Sequence, residues 1–287
     1  MPRILLGALL LLCATEKTAG IRVKKAFISI GGIGLTGITS NGTVAISRAD
    51  SEITDLDLEK VMEVCEQDIP QSQIVNRKVI HAIPLQYKID GKQALGKPLG
   101  MKGVKLEVKA LFVTCLEHHI NDLLEAVEQA GIEVLDVMAA PIAASFVTLS
   151  KTQKIAGCLL ANIGAETVSI VVYENNVPIA LEVFPIGSTD ITNDIALGLR
   201  IGLEEAEQIK IGAMTTTAVP RKKLDEIIEA RLSDIFELIE AHLKKIGRNG
   251  LLPAGVIITG GGSSIGPIET FAKTSLRLPA RIATINA

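Results

Sequence analysis

Segments with the apolar pattern of a strand and segments with the apolar pattern of an amphipathic helix follow one another along the first half of the chain. They predict strands and helices in turn. Residues 24–30 (KKAFISI) are apolar and β-branched, which is typical of a strand. Thr54 is a candidate N-cap with Asp57 three positions later, and an amphipathic helix follows it. The same patterns predict helices at 52–67 and 116–131, strands at 78–90, 104–115 and 132–138, and a short helix opening at Pro141. A helix between two strands implies a parallel crossover and therefore an α/β core.

The second half begins with three consecutive apolar segments that are joined by tight turns. Segments 158–163, 167–176 and 177–187 predict an antiparallel meander. The longest predicted helix follows, at 222–247, with two shorter helical segments at 188–201 and 202–213 before it. Residues 254–276 then have the pattern of a strand, a glycine turn and a helix.

Two glycine motifs follow the first strand. Gly32, Gly34 and Gly37 fit the spacing of a dinucleotide-binding fingerprint, which requires a helix to begin at that point. The residues that follow instead predict a hairpin turn at Asn41-Gly42 and then another strand. We therefore reject a dinucleotide-binding fold for this segment.

Composition narrows the classes of function. The net charge of −3 gives no reason to expect nucleic-acid binding, and 3% aromatic residues without Trp do not favour stacking platforms for bases. The four cysteines are scattered, and three lie in apolar runs, which predicts buried thiols and a reducing compartment. The adjacent His118 and His119 point to different faces of a helix, so we expect surface histidines and no metal site.

The N-terminal segment allows two interpretations. Arg3 precedes an apolar run from Ile4 to Ala14, which resembles a signal peptide but is too short to span a bilayer. The alternative is a buried core helix that lacks the strand before it. Cys13 follows Leu12, whereas a lipoprotein cleavage site needs a small residue there.

Several spaced motifs in the chain resemble the FtsA family of bacterial cell-division proteins, within the actin-like ATPase superfamily. The most specific is RKVIHAIPLQYKIDGKQALGKPLGMKGVKLEVKALFVTC at 77–115, which resembles the subdomain inserted in FtsA. The matching segments that follow are AAPIAASFVTL, FPIGSTDITNDIA, AEQIK, EARLSDIFELI and VIITGGGSSIGPI. The resemblance covers about residues 5 to 282.

This resemblance implies an α/β, actin-like two-domain fold with the FtsA-type inserted subdomain and an incomplete first domain. The implied divisions are 1–47 and 117–153 for the first domain, 48–116 for the inserted subdomain, 154–199 and 252–287 for the second domain, and 200–251 for its helical subdomain. The first phosphate-binding hairpin of the family would precede the segment at which this chain starts. We therefore expect that hairpin to be missing.

The resemblance also implies a nucleotide cleft, and its second phosphate hairpin would lie at residues 162–167. Gly164 and Thr167 keep the family pattern, whereas Asn162 replaces the aspartate that would hold hydrated magnesium. Ala165 and Glu166 replace glycines, so a side chain and a negative charge would face the phosphates. A plain β-turn is the favoured interpretation of these residues.

On the adenosine side of the implied cleft, the residues match the family pattern more closely than those of the phosphate hairpin do. The resemblance places Glu207 and Lys210 at the ribose and purine, and Gly260, Gly261 and Gly262 at the glycine turn beside the nucleotide. Without the family, the first two would be a solvated helix face and the glycines a strand-to-helix turn. We expect ATP with magnesium to bind weakly, and we identify no catalytic residue and no metal ligand.

The family resemblance implies protein partners as well. Arg231 matches a position in the surface that binds the C-terminal tail of FtsZ, and an Arg fork suits carboxylates of an acidic tail. An ordinary helix pair with Glu226 or Glu237 is the alternative role. We also expect self-association into filaments and a cytoplasmic location at the division site. Because the family's C-terminal amphipathic helix is missing from these residues, membrane attachment would be indirect.

Two other functions are kept as alternatives. One is an ATP-hydrolysing member of the superfamily whose first hairpin lies upstream of a wrongly assigned start. The other is a relative that serves pilus biogenesis, against which the inserted subdomain at 77–115 argues.

Overall fold

The computed structural model describes residues 16–18, 20–213 and 221–284. The chain separates into two compact units, Met1–Ala143 and Ala144–Ala287. The apolar run at residues 4–14, for which a signal peptide and a core helix were both considered, lies outside the described residues. None of the helices in the described ranges is long and apolar enough to cross a membrane.

The first unit contains a two-stranded parallel sheet and a four-stranded antiparallel sheet. The strands are β1 (Lys25–Ile30), β2 (Leu35–Ala45), β3 (Arg77–Ile89), β4 (Lys92–Gln93), β5 (Lys105–Leu116) and β6 (Glu133–Ala139). Strands β1 and β6 pair in parallel, and the larger sheet has the order β2-β5-β3-β4. The parallel crossover expected between the strands on either side of helix 116–131 is not formed, because β5 and β6 lie in different sheets. The helices are α1 (Asp55–Gln67), α2 (Gln71–Ile74), α3 (Glu117–Gln129) and α4 (Ala140–Thr148), which ends in the second unit.

Helix α1 covers one face of the four-stranded sheet. It begins after Thr54, as predicted, and the Asp57 carboxylate accepts hydrogen bonds from the Thr54 backbone N at 2.9 Å and hydroxyl at 2.7 Å. Leu58, Val61 and Cys65 recur at helical spacing and are buried against the sheet. This apolar face therefore supplies the core of the sheet.

The hairpin predicted at Asn41-Gly42 is wrong. Both residues lie inside β2, which pairs continuously with β5. A β-carbon at Gly42 would lie 2.7 Å from Cβ of Cys65 and 2.8 Å from its backbone N. Glycine is therefore required here because α1 packs directly on the strand, and it does not mark a turn. The rejection of a dinucleotide fold is confirmed, since strand β2 and not a helix begins at Leu35.

The second unit contains a five-stranded mixed sheet of order β11-β10-β7-β8-β9. The strands are β7 (Cys158–Ile163), β8 (Val168–Glu174), β9 (Val177–Phe184), β10 (Val256–Thr259) and β11 (Ala280–Ile282). The helices are α5 (Lys151–Ala156), α6 (Ser188–Leu199), α7 (Leu203–Lys210), α8 (Arg221–Lys245) and α9 (Ile268–Leu276). Strands β7, β8 and β9 form the predicted antiparallel meander, and β10 joins β7 in parallel.

Helix α8 supplies much of the core of the second unit. Its buried residues Leu232, Ile235 and Ile239 pack in one cluster with Leu159 and Ile170 of the sheet. The parallel pairing of β10 with β7 brings the glycine turn after Thr259 beside the end of β7. Residues that are far apart in the sequence therefore meet at the carboxyl ends of the neighbouring strands β7 and β10.

The predicted domain boundaries stay a prediction. The four-stranded sheet includes residues 35–45, which lie before the predicted start of the inserted subdomain at residue 48. The boundary between the two compact units falls between residues 143 and 144 of the sequence, whereas the second domain was predicted to start at residue 154.

Candidate functional site

The turn between β7 and β8 carries the first two predicted site residues. The Gly164 backbone N donates to the carbonyl of Thr167 at 2.9 Å and closes the turn. A β-carbon at Gly164 would lie 3.0 Å from the same carbonyl oxygen, so the position strongly favours glycine. Gly164 and Thr167 therefore hold each other in a tight hairpin turn.

This turn is bonded to the N-terminus of helix α6. The backbone N of Ser188 donates to the Gly164 carbonyl at 2.9 Å, and that of Thr189 donates to the Ala165 carbonyl at 2.8 Å. A β-carbon at Gly187 would lie 2.7 Å from the backbone N of Glu166, which keeps this contact close. Two of the donors that a helix N-terminus could offer to an anion thus bind the turn itself.

The glycine turn after β10 lies against the end of β7. Gly260 has φ +90°, and a β-carbon there would meet the side-chain oxygen of Asn162. A β-carbon at Gly262 would lie 2.6 Å from Cγ2 of Ile163, whereas the position at Gly261 is open. The structure therefore brings the hairpin turn and the glycine turn together, with two of the glycines required by packing.

Glu207 and Lys210 lie on α7 and form a polar cluster with α6. The Lys210 ammonium donates to the Glu207 carboxylate at 2.7 Å, to the Thr192 hydroxyl at 2.8 Å and to the Ser188 carbonyl at 3.0 Å. The Lys210 side chain is only 6% exposed. Its three hydrogen-bond donors are therefore all used inside the unit.

Glu207 is the exposed member of this cluster. It accepts a further hydrogen bond from the Thr192 hydroxyl at 2.5 Å, and its side chain is 44% exposed. Burial pushes the pKa of the Glu207 carboxyl upward, but hydrogen bonds from Lys210 and Thr192 outweigh it and hold the pKa below its usual value. Glu207 is therefore an ionised acceptor, partly open to solvent, at the predicted position of the ribose.

Arg231 of α8 binds carboxylates of its own unit. Its Nε and Nη2 donate to the two carboxylate oxygens of Asp194 at 2.7 and 3.0 Å, and Nη1 lies 3.2 Å from Asp234. The hydrogen bond to Asp194 is the largest cause that raises the pKa of Arg231. The partners suggested by the sequence were Glu226 and Glu237, and in the structure Arg231 instead joins α8 to α6.

His118 and His119, which the sequence predicts to be surface histidines, lie in the first unit. Their rings lie 4.2 Å apart, edge to face, at the start of α3. Among the described residues, no group of three His, Cys, Asp or Glu side chains could hold a metal ion.

Sequence reasoning missed three partners of the predicted site residues. Ser188, Thr192 and Asp194 all lie on α6, and they bind Lys210, Glu207 and Arg231. The signal was the motif STDITND, which is rich in small polar residues; Ser188 and Thr192, four positions apart, share one side of a helix.

Reasoning from sequence also missed a basic surface at the start of α8. Lys223 donates from Nζ to the Gly198 carbonyl at the end of α6, which brings exposed Arg200 and exposed Leu197 beside it. The signal was the run RKK at the helix start, an unfavourable place for positive charge unless it serves another purpose.

Several groups near this turn are unfavourable for binding a magnesium triphosphate. The first donors of α6 are bonded inside the chain, and Glu166 places an exposed carboxylate at the turn. The side that would hold adenosine keeps an open position at Gly261 and the partly exposed Glu207 carboxylate. The described residues can thus make polar contacts to a neutral ligand more readily than to phosphates.

Comparison of this chain with known proteins gives consistent results. Residues 159–286 match the family model "Cell division protein FtsA", and residues 32–114 match "SHS2 domain inserted in FTSA". The Pseudomonas aeruginosa cell division protein FtsA is 32% identical over 93% of this chain and 68% of its own length. The Borreliella burgdorferi FtsA is 30% identical over 94% and 70%. This chain thus spans about two thirds of the length of these relatives.

Solved structures support the fold. A PilM–PilN type IV pilus biogenesis complex superposes with a TM-score of 0.67 at 19% identity over 93% of this chain and 71% of its own. MreB5 of Spiroplasma citri bound to ADP gives a TM-score of 0.52 at 16% identity over 58% and 61%. At these identities the likeness shows a shared actin-like fold alone. The two family models and the similarity to FtsA proteins together show that the chain belongs to the FtsA family of cell-division proteins.

Proposed function

We propose that this protein is a cell-division scaffold that binds the C-terminal tail of FtsZ through the helical part of its second unit. Family membership supports a role in division. The observation that carries the choice of surface is the basic and apolar patch at the start of α8. The same surface argues for binding and not for catalysis, because it offers charge and apolar area without an acid–base pair.

We call this patch the α8 start surface and define it by Leu197, Arg200, Arg221, Lys222 and Lys223. Leu197 is 78% exposed, the four cations are exposed as well, and the bond from Lys223 to Gly198 joins the start of α8 to this end of α6. The only carboxylate that pairs with them among the described residues is Glu226, 3.9 Å from Lys222. An acidic segment with an apolar residue fits this combination of charge and exposed apolar area.

Arg231 lies two turns further along the same helix and remains our proposed contact. Its side chain is 28% exposed, and its bond to the half-exposed Asp234 is the one that a tail carboxylate can replace. The bidentate bond to Asp194 holds the guanidinium plane in place while this exchange occurs. Arg231 therefore has both a positioning role within the unit and a contact role toward the tail.

We also propose self-association into filaments, a cytoplasmic location at the division site, and indirect contact with the membrane. These follow from the family and from no contact on this chain. The net charge of −3 gives no general reason to expect nucleic acid, in keeping with a protein partner.

For the nucleotide site, we propose weak binding of ATP with magnesium and no hydrolysis. Support comes from the internally bonded Lys210, from the α6 donors that bind the turn, and from the carboxylate of Glu166. Titration calorimetry with ATP and magnesium tests this proposal, together with an assay for released phosphate. A dissociation constant in the micromolar range, or phosphate release above background, would overturn it.

The FtsZ contact is tested with a fluorescein-labelled peptide of an FtsZ C-terminal tail. We expect Lys223→Glu and Arg231→Glu each to weaken binding about tenfold, measured by fluorescence anisotropy. Lys245→Glu is the matched control, because Lys245 is exposed near the other end of the same helix. Circular dichroism checks that each variant is folded, since Lys223 and Arg231 also bind within the unit.

Two results would contradict the assignment. Unchanged binding by both charge-reversed variants would show that the tail binds elsewhere. An equal loss with Lys245→Glu would show that only the general charge of the helix matters. The salt dependence of binding provides a further check, because an exposed ionic contact must weaken as salt is raised.

A further inference from the structure

Strand β2 forms an open edge of the four-stranded sheet in the first unit. It has eleven residues, LTGITSNGTVA, and contains neither a charged residue nor a proline. Natural proteins usually protect a long edge strand with charges, proline or a covering element. In the part of the chain that the structure describes, only β5 pairs with β2. The strand therefore has the features of a site for adding another strand.

The hydrogen bonds at the two ends of β2 show which residues face the open edge. The Gly34 carbonyl accepts from the backbone N of Leu116, and the Ile46 backbone N donates to the Val104 carbonyl at 2.8 Å. The register between these ends has no bulge, so the even-numbered residues bond to β5 throughout. The N–H and C=O groups of Thr39, Asn41 and Thr43 consequently point away from the sheet.

The side chains of these odd-numbered residues share the face of the sheet that α1 does not cover. The cross-strand rows on this face are Asn41–Lys109–Gln86 and Thr43–Glu107–Lys88. These six residues line a shallow cavity of about 200 Å³. The open edge and the cavity are thus parts of one surface.

The charge of this surface is positive, although the whole chain is acidic. Lys88 and Lys109 are exposed and have no ion pair among the described residues. The one carboxylate of the rows, Glu107, is paired with Lys105. Lys109, on β5, is therefore available to a ligand that lies along β2, and Lys88, one strand further away on β3, adds to the positive charge of the surface.

We propose that the β2 edge binds an extended acidic peptide, which adds a fifth strand to the sheet of the first unit. The backbone of the peptide pairs with the outward groups of Thr39, Asn41 and Thr43. Its carboxylates alternate with residues on the opposite face and reach Lys109 across the short side chains of β2. Strand β5, which carries Lys109, lies about 10 Å from the added strand. A glutamate side chain of the peptide and the Lys109 side chain can span this distance together. This surface is separate from the α8 start surface, so each proposal can fail without the other.

The test uses two fluorescein-labelled decapeptides with the whole protein. In one, Thr and Glu alternate, and in the other Thr and Lys alternate. We expect the acidic peptide to bind and the basic peptide to bind at least about tenfold more weakly, measured by fluorescence anisotropy. Equal binding of both, or binding of neither, overturns the proposal.

Two kinds of variant separate strand addition from simple charge attraction. Asn41→Pro removes an outward N–H without touching the β5 ladder, and Asn41→Ser keeps that N–H as the control. We expect about a tenfold loss with proline only. The double variant Lys88→Glu/Lys109→Glu should reverse the preference toward the basic peptide, whereas Lys151→Glu in the second unit should not.

Each remaining outcome also decides the proposal. Full binding by folded Asn41→Pro overturns strand addition. If circular dichroism shows that this variant misfolds, the double lysine variant decides, and an unreversed preference overturns the acidic partner. Sedimentation shows whether a second copy occupies the edge instead: a dimer of the wild type that Asn41→Pro dissociates would replace the acidic peptide as the occupant.

Discussion

Lys210 is the residue at which a structural role and a nucleotide-binding role make opposite predictions. Its ammonium is 6% exposed and has three acceptors, from Glu207, Thr192 and Ser188. If these bonds hold α7 against α6, then Lys210→Met must destabilise the second unit whether or not ATP is present. If Lys210 instead serves a nucleotide, the variant must lose ATP affinity and keep its stability.

The magnitude follows from what methionine keeps and what it loses. Removing one partner from a buried ion pair costs about 3–5 kcal/mol when the other charge stays buried. The Glu207 side chain is 44% exposed and keeps its bond from Thr192, so water can solvate the carboxylate after the change. Methionine also keeps most of the buried stem. We therefore expect a loss of about 2 kcal/mol, which lowers the melting temperature by about 5 °C.

The assay combines urea unfolding with hydrogen exchange. Because the chain has two compact units, a single unfolding curve does not assign the loss to one of them. Faster exchange confined to residues 188–210 would assign it to the contact between α6 and α7. Lys151→Met is the control, since Lys151 is an exposed lysine of the same unit. A change in unfolding free energy below about 0.5 kcal/mol for Lys210→Met would refute the structural role.

The pH dependence gives a second readout of the same contact. The pKa of Glu207 is lower in the folded protein than its ordinary value of 4.5. The stability from its ionised form is therefore complete above about pH 4.5 and is lost as the pH falls through the folded pKa. The difference between wild type and Lys210→Met should consequently be widest near neutral pH and narrow in acid. A difference that does not change with pH would show that the carboxylate contributes nothing.

Two further predictions concern packing and acid sensitivity. Gly42→Val should destabilise the first unit by about 2 kcal/mol, because α1 leaves no room for a side chain at this position. Gly266→Ala, at an open position, should not lower stability. Urea unfolding measures both variants, and equal losses of stability would contradict the argument from packing. His242 is buried, and its Nε2 has no hydrogen-bond partner among the described residues, whereas its Nδ1 lies 3.8 Å from Glu182. Burial, and to a smaller extent the charge of Lys245, lower the pKa of His242. The wild type should therefore lose stability as the pH falls below about 6.5, and His242→Leu should not; parallel pH profiles of the two melting temperatures would refute this.

The fold was largely predictable where each element contacts its neighbours in the sequence, because the local pattern then contains the contact. The meander at 158–187 has alternating residues and short turns, so each strand pairs with its neighbour in sequence. The error at Asn41-Gly42 has the opposite cause. That glycine is required by helix α1, which begins more than ten residues later, and no local pattern contains this contact.

The partners of the predicted site residues were predictable only in part. Glu207 and Lys210 are three positions apart on one helix, so their pairing could be expected from spacing. Their bonds to Ser188 and Thr192 depend on how α7 packs on α6. The partner of Arg231 was missed for the same reason, because Asp194 is 37 positions away, whereas spacing along one helix suggested Glu226 and Glu237.

These internal partners are the basis of the weak nucleotide binding that we propose for the second unit. In a site that serves phosphate, donors at a helix N-terminus and a nearby ammonium would be left unpaired without their ligand, at a cost for each buried group. Here the turn carbonyls bind the donors of α6, and Glu207, Thr192 and Ser188 bind the ammonium of Lys210. The α6 donors and the Lys210 ammonium are therefore satisfied by hydrogen bonds within the unit. A ligand that needed these groups would have to break existing bonds first, so its affinity would be reduced by the stability that the bonds provide.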